Sequence, residues 1–509
     1  MVSRIFTLLA FLAISGICQH VEWDQHISDI YVGKNLADSV TQYGITWYFD
    51  QEYPVGTFVN GDFWVAGNPV VITRITPDFD GENNGWEVNP VVAGKHGFQS
   101  GCYGGDNFDP ALVPALPYTS PTDKIVSVVK TKRADPWPNR GRPCINIAAV
   151  LTVMPEPPPN LGNNVFRPPY VGKEKPLYRV DDLRTDLLPS LEPVGNPPEI
   201  EDIVNSFRKL RLDHKSGGIG RALRPQESMA DYQLNNTSAI FNGALRFMLD
   251  DPIHLIMPAM IQYVQAGLDK VYTLLDGQTW PGGGGHQPGH VTALSFTTTL
   301  LDIEAARSLL NNADFFHASE WLSTTSHCGL QLWGSQVWNQ EDAYWNRIVR
   351  GTGSNSIADP YGFIDGGPGP SPYQLLTAQS HKSERLIQVL MPELQNAWPK
   401  HEIPIVKNYA ERWITEGLWF RPDPCAPFDG NVNNRGITYG PDPENPGMCI
   451  LDTRLLYYNS PTDFAYPEGV HGGRFPERHN TEIDRGAYRN DFVAAMWDAY
   501  YERYNSLEQ

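Results

Sequence analysis

A change of hydrophobic period across a proline-rich stretch constrains this chain more than any other feature. Upstream of it, short runs rich in Val, Ile, Thr, Trp and Phe, "YGITWYFD", "GDFWVAG", "PVVITRITP", "KIVSVVK" and "CINIAAVLTV", are cut by Gly, Pro, Asn and Asp. Runs of that kind and spacing predict strands, and together an antiparallel β-sandwich over residues 25–155. The stretch "MPEPPPNLGNNVFRPPYVGKEKP" is too rich in proline for a helix or an interior strand, and predicts a linker over 156–197 laid across the next domain. Beyond about Pro197, segments such as "EDIVNSFRKLRL", "IHLIMPAMIQYVQAGLDKVYTLLDG", "VTALSFTTTLLDIEAARSLLNN" and "RNDFVAAMWDAYYERYN" place apolar residues at i, i+3, i+4 and i+7, the pattern of helices buried on one face. Their connections are long, whereas a simple bundle uses loops of about 2–8 residues. Helical hairpins in a ring fit better, so the expected fold is a β-sandwich followed by an α/α-toroid-like domain over 198–509.

Length and termini agree with two domains, since a single core stops growing near roughly 250–300 residues and the chain has 509. The opening "MVSRIFTLLAFLAISGICQ" has one Arg, an apolar run and then small residues. That is the layout of a secretory signal peptide, here residues 1–18, and it predicts an extracellular or periplasmic protein. No later stretch is apolar enough to span a bilayer. After that cut the cysteines are Cys102, Cys144, Cys328, Cys425 and Cys449. In an oxidising compartment they predict disulfides, with Cys102–Cys144 and Cys425–Cys449 closing the shortest loops. The absence of a CxxC argues against a zinc ribbon or a dithiol redox site. A formal charge of −19 with no long basic run excludes nucleic acid as a partner. With 14 Trp, 23 Tyr and 21 Phe, the chain carries more large rings than a core needs, and spare rings line binding clefts.

Two glycine-rich stretches stand among ionisable groups. "GQTWPGGGGHQPGH" (277–290) follows one long helical segment and precedes another. Its glycines permit a sharp turn and close approach of a ligand to the backbone, beside Trp280 and under His286. His286 and His290 stand four apart, a spacing that lets two imidazoles share a metal on one helix face, yet Gln287-Pro288-Gly289 opposes a helix interior. A divalent cation, a capping role and direct contact of His286 with substrate all remain open. No other cofactor is expected. "RLDHKSGGIGRALRPQESMADY" (211–232) gathers His214, Arg221, Arg224, Glu227, Asp231 and Tyr232 around a second glycine-rich turn. His214 and Tyr232 are residue types that remove a proton and return one to a leaving oxygen. In "YPEGVHGGRFPERHNTEIDRGAYRN" (466–490), His471, Arg474 and His479 suit carboxylate recognition. The alternating Asp and Asn of residues 425–449 read either as a disulfide-held loop or as oxygen ligands for calcium, without the twelve-residue spacing of a calcium hand.

At "GITWYFDQEYPVGTFVNGDFWVAGNPVVITRITP", "NGWEVNP", "RLDHKSGGIGRALRPQESMADY", "WPGGGGHQPGH" and "GGRFPERHNTEIDRGAY" the chain resembles a group of secreted, mostly uncharacterised bacterial proteins, almost end to end. Where that group continues with basic residues after its Gly-Gly-His, this chain has Gln287 and Pro288. More distantly, a β-rich domain joined to a helical ring is similar to α/α-toroid polysaccharide lyases and glycoside hydrolases. The lyase likeness implies a Tyr or His as base and acid, with Arg, Asn or His neutralising a uronate carboxylate. His214, Tyr232 and His286 are then the catalytic candidates, and Arg221, Arg224, Trp280, His471, Arg474 and His479 the substrate-binding ones. The hydrolase alternative needs paired carboxyl groups, for which Glu227, Asp231, Asp276 and Asp365 are the candidates. A third alternative is a glycan-binding or cell-surface protein without catalysis. In each case the partner is a polysaccharide.

Overall fold

Strand β1 (Leu36–Gln42) and strand β2 (Ile45–Thr57) are joined by Tyr43 and Gly44, both at positive φ (54° and 73°). That is the backbone of a tight two-residue hairpin, whose twist matches its strands. The computed structural model describes residues 35–102, 107–135, 144–215, 220, 223–228, 233–280, 289–314, 323–325, 331–333, 372–416 and 490–507. The signal-peptide segment 1–18 and the Cys425–Cys449 pair lie outside them.

The remaining N-terminal strands are β3 (Phe63–Ala66), β4 (Val71–Thr76), β5 (Trp86–Val88), β6 (Tyr118–Thr119), β7 (Val126–Arg133) and β8 (Ile145–Met154). They form one sheet in the order β5-β7-β8-β3-β2-β4-β6, with β1 on β2. The expected antiparallel sandwich is not what forms. β3 runs parallel to β8, pairing Trp64 with Thr152 and Ala66 with Met154, and the strands make a single curled mixed sheet, half of a barrel. The reason is visible in β8, "INIAAVLTVM", where every residue but Asn146 is buried. Ile147, Ala149, Leu151 and Val153 face the hollow of the curl with Trp47, Val65 and Ile72. Ala148 and Val150 pack on the other side against Tyr170, Val171, Leu210, Leu212 and Leu223. A strand covered on both faces belongs inside a layered α/β arrangement, whereas a sandwich strand turns one face to solvent.

Cys102 and Cys144 lie at disulfide distance as expected, with Cα atoms 5.5 Å apart and 42 residues between them in sequence. The bond ties the loop before the 3-10 turn at Pro110 to the start of β8. Replacing both cysteines by Ser is expected to cost about 2–4 kcal/mol, chiefly through the freed unfolded chain. Urea denaturation of the variant against the oxidised parent checks it.

The second half contributes α1 (Ile200–Phe207), α2 (Gln233–Arg246), α3 (Ile253–Leu275), α4 (His290–Leu300), α5 (Glu304–Asn311), α6 (Pro372–Leu390), α7 (Glu402–Glu416) and α8 (Asp491–Asn505), with a short antiparallel pair, β9 (Ser323–Thr325) and β10 (Gln331–Trp333). The expected toroid is withdrawn with the sandwich: the described helices share one apolar core, with α1 and α4 packed on α3 and with α2, α7 and α8 packed on α6. α3 carries two faces. Tyr263, Val264, Leu268, Val271 and Leu274 join that core, and Gly267 lets α4 come so near that a Cβ there would stand 1.8 Å from Thr297 Oγ1. The other face is polar and meets the sheet half. Gln262 donates to Asn60 O, Gln265 to Arg167 O, Asp269 accepts from Arg167, and Asp276 accepts from Val92 N. Residues 262, 265, 269 and 276 share one side of a helix.

The segment 156–197 lies between the two halves and packs into both. Val165 joins Phe58 and Trp64, whereas Phe166, Leu183 and Leu191 join the helical core. Its Arg167 is fully buried, with Nε 2.6 Å from Asp62 Oδ2 and Nη2 2.5 Å from Asp269 Oδ2.

Candidate functional site

After α1 ends at Phe207, the chain runs inward through Arg211, Leu212, Asp213, His214 and Lys215, all buried. Leu212 adopts φ +55°, an uncommon conformation for a branched apolar residue, which turns Asp213 toward α3. Asp213 Oδ1 accepts from Arg224 Nε (3.3 Å) and Nη2 (3.1 Å), and Oδ2 accepts from Lys270 Nζ at 2.5 Å. Arg211 Nε lies 3.2 Å from the same Oδ2, an ionic contact without hydrogen-bond alignment. Gln278 Nε2 donates to the Asp213 carbonyl. Burial alone would raise the Asp213 carboxyl, but Lys270, Arg211 and Arg224 outweigh it and hold it well below the usual carboxylate range. Burial pushes the Lys270 ammonium down to about 7 against the pull of Asp213.

Lys270 also reaches His290 Nδ1, 3.0 Å away at the first residue of α4. Burial and then the Lys270 charge hold the His290 imidazole well below its ordinary value, so it is neutral. Its ring stacks on Trp280, centroids 4.9 Å apart and 22° between planes, and the Lys270 ammonium stands 5.9 Å from the Trp280 ring centre. Beside this cluster Tyr170 Oη lies 2.9 Å from His214 Nδ1, both side chains buried. Burial, then Lys215 and His96, keep His214 neutral. Its Nε2 has no partner among the described residues.

Residue 289 carries the cluster onward to α6. Gly289 takes φ +82° as the cap of α4, a conformation that glycine alone adopts without strain. Its N–H donates to Glu384 Oε1 at 3.3 Å, and Glu384 Oε2 lies 3.0 Å from His381 Nδ1. Both of these side chains are buried. The start of α4 is therefore held twice, at Gly289 by Glu384 and at His290 by Lys270.

Arg224, after one glycine-rich segment, and Trp280 and His290, on either side of the other, are linked through Asp213 and Lys270. His214, Arg224 and Trp280 belong to this neighbourhood. Glu227 sits apart, paired with Lys209 Nζ (2.7 Å) and Asn146, and Asp276 accepts from Val92 N at 2.8 Å. Tyr232, His286, Arg221, Asp231, Asp365, His471, Arg474 and His479 lie outside the described residues. Sequence reasoning passed over Lys270, Tyr170, His381 and Glu384. For Lys270 the available signal was a charged pair inside an otherwise apolar helical run, "AGLDKVYTLL", whereas His381 and Glu384 stand in the polar stretch "SHKSER" and carried no such signal.

Compared with protein-family models, curated proteins and solved structures, the chain matches none of them. Its chemistry rests on its own geometry. Among the described residues no group of three or more His, Cys, Asp or Glu side chains is placed to hold a metal ion, and no helix is long and apolar enough to cross a membrane. A cleft between Asp62, Arg167, Arg211, Asp213, Gln265 and Asp269 has about 10 Å³ of free space, the room of a single water. What the arrangement can do is hold positive charge and neutral imidazoles together in a dry environment, where each interacts far more strongly than in water.

Proposed function

We propose that the protein is a secreted carbohydrate-active enzyme that cleaves a uronate-containing glycan by β-elimination. One observation supports this reading most: three basic side chains, Arg211, Arg224 and Lys270, surround the single carboxylate of Asp213 beside the neutral imidazoles of His290 and His214. Elimination needs these two properties. A cation neutralises the uronate carboxylate and so makes the C5 proton removable, and a neutral base takes that proton as the C4–O4 bond breaks, the C4=C5 double bond forms and the leaving oxygen is protonated. In this proposal Tyr232 and His286 carry the proton steps and Arg224 belongs to the binding of the carboxylate. Glycoside hydrolysis would draw on paired carboxyl groups, and Glu227 and Asp276 are engaged in separate structural contacts.

The test is a panel of uronate-containing and neutral glycans, read both for the ultraviolet absorbance of the unsaturated product and for reducing ends. Unsaturated product from a uronate glycan is expected. Tyr232→Phe deletes only a hydroxyl, so turnover should fall by about 10²–10⁴, the worth of a positioned acid or base, with the unfolding midpoint unchanged. Reducing ends without unsaturation would mean hydrolysis, and silence in both readouts across the panel would sink the enzymatic reading.

A further inference from the structure

Glu402, the first residue of α7, presents a side chain that no ordinary carboxylate tolerates. It is 0% exposed, and neither carboxyl oxygen has a hydrogen-bond partner among the described residues. No first-turn N–H of its own helix reaches it, although a helix N-terminus favours negative charge. The titratable groups facing it add to the difficulty. Glu384 of α6 and Asp314, beyond α5, both repel a charge on Glu402. His381 of α6 is already bound to Glu384. The imidazole of its neighbour His401 is half exposed, with Nε2 3.9 Å from Oε1, too far for a hydrogen bond. An ionised carboxylate taken out of water without donors is far more costly than a neutral acid in the same place.

We propose that Glu402 is held as a neutral carboxylic acid in the folded protein, and that its ionisation is an alkaline switch that loosens α7 from α6 and, through Glu384, weakens the contact to the Gly289 N–H at the start of α4. The link is short. A charge on Glu402 acts on the Glu384 carboxylate, and Glu384 is the group that accepts the Gly289 N–H. Gln388, one turn beyond Glu384 on α6, has both side-chain amide atoms buried without partners among the described residues, so its amide adds no hydrogen bond that would pin this part of α6 in place. Burial, followed by Glu384 and Asp314, pushes the Glu402 carboxyl up to about 9. An unfolded Glu releases its proton near 4.3, so between these values the folded chain binds the extra proton and stability falls as pH rises. None of this depends on the enzymatic reading.

Glu402→Gln keeps the shape and cannot ionise. Its unfolding equilibrium should be compared with the parent from about pH 5 to pH 9.5, which cancels every other titrating group, and the parent's unfolding constant should rise by up to about tenfold per pH unit relative to the variant. Amide exchange at Gly289 and His290 should speed up at alkaline pH in the parent more than in the variant. A ratio of unfolding constants that stays flat with pH overturns the proposal. Should Glu402→Gln fail to fold, Glu384→Gln removes the repelling neighbour and must shrink the parent's alkaline decline. An unchanged decline overturns the proposal equally.

Discussion

Replacing Asp213 by Asn is expected to destabilise the protein by about 3–5 kcal/mol, the usual result of breaking a buried ion cluster from one side. The substitution keeps the shape and the carbonyl that accepts from Gln278, so the loss is electrostatic. Arg224 and Lys270 are 7% and 1% exposed and would lose the carboxylate that each contacts. Arg224 cannot shed its proton, but Lys270 can. Its folded value of about 7 already lies below the unfolded value of about 10.4, so the unfolded chain binds more protons between those limits and stability rises with pH through that window. Without Asp213 the folded value drops further and the window widens downward. The deficit of Asp213→Asn should therefore be larger near about pH 6 than near about pH 9, as urea denaturation at both would show. Adding Lys270→Met removes the stranded ammonium and should restore part of the loss. If the single variant loses less than about 1 kcal/mol, the cluster has water or a rearranged partner available and is not the closed ion network its distances describe.

The local periods were readable, and the partners were not. "GITWYFD" and "CINIAAVLTV" announce strands because their residue types and flanking breakers are local. Nothing within either run says that "DFWVAG" will lie parallel to the last of them, and that single pairing of Trp64 with Thr152 separates a curled mixed sheet from a sandwich. The near-continuous apolar run of β8, "INIAAVLTVM", was the available sign, since a sandwich strand alternates. The helical segments after Pro197 were equally clear, although "VTALSFTTTLLDIEAARSLLNN" breaks in two, between α4 and α5, at Leu301-Asp302-Ile303 with Asp302 at φ +53°. In the candidate site, a charge-dense stretch beside glycines reads the same whether its groups face solvent or fold inward. His214 and Arg224 fold inward because Tyr170 and Asp213 receive them. Lys270, alone in an apolar helical stripe, has the pattern of a lysine whose stem lies along the surface and whose head reaches water. Its carboxylate is 57 residues away in sequence, a distance at which pattern carries no information about contact.

Arg167→Met should be as damaging as any single change in the molecule, about 3–5 kcal/mol near pH 7. The guanidinium makes one bond to Asp62, in the turn between β2 and β3, a two-pronged contact to Asp269 on α3, and a further bond from Nη1 to the Pro168 carbonyl at 2.7 Å. Burial would lower it, but Asp269 and Asp62 hold it above its ordinary value. Methionine fills a similar volume, so packing survives, while two buried carboxylates are left facing each other across the junction. Burial already raises Asp269, and Arg167 is the main force opposing that rise. With the guanidinium gone, Asp269 should rise further and take up a proton in the folded state. An acid whose folded value exceeds its unfolded value of about 3.9 makes stability fall as pH rises through that interval. The deficit of Arg167→Met should thus be full at neutral pH and shrink toward about pH 4–5, opposite in sign to that of Asp213→Asn, and Arg167→Met/Asp62→Asn/Asp269→Asn should recover much of it at neutral pH. Because the residue joins the sheet half to α3, the variant should also unfold less cooperatively, with the near-ultraviolet signal of the sheet tryptophans and the far-ultraviolet helical signal separating in midpoint. Coincident transitions together with a loss that does not vary with pH would show that the halves are joined by the apolar contacts of Val165 and Phe166 and not by this ion triad.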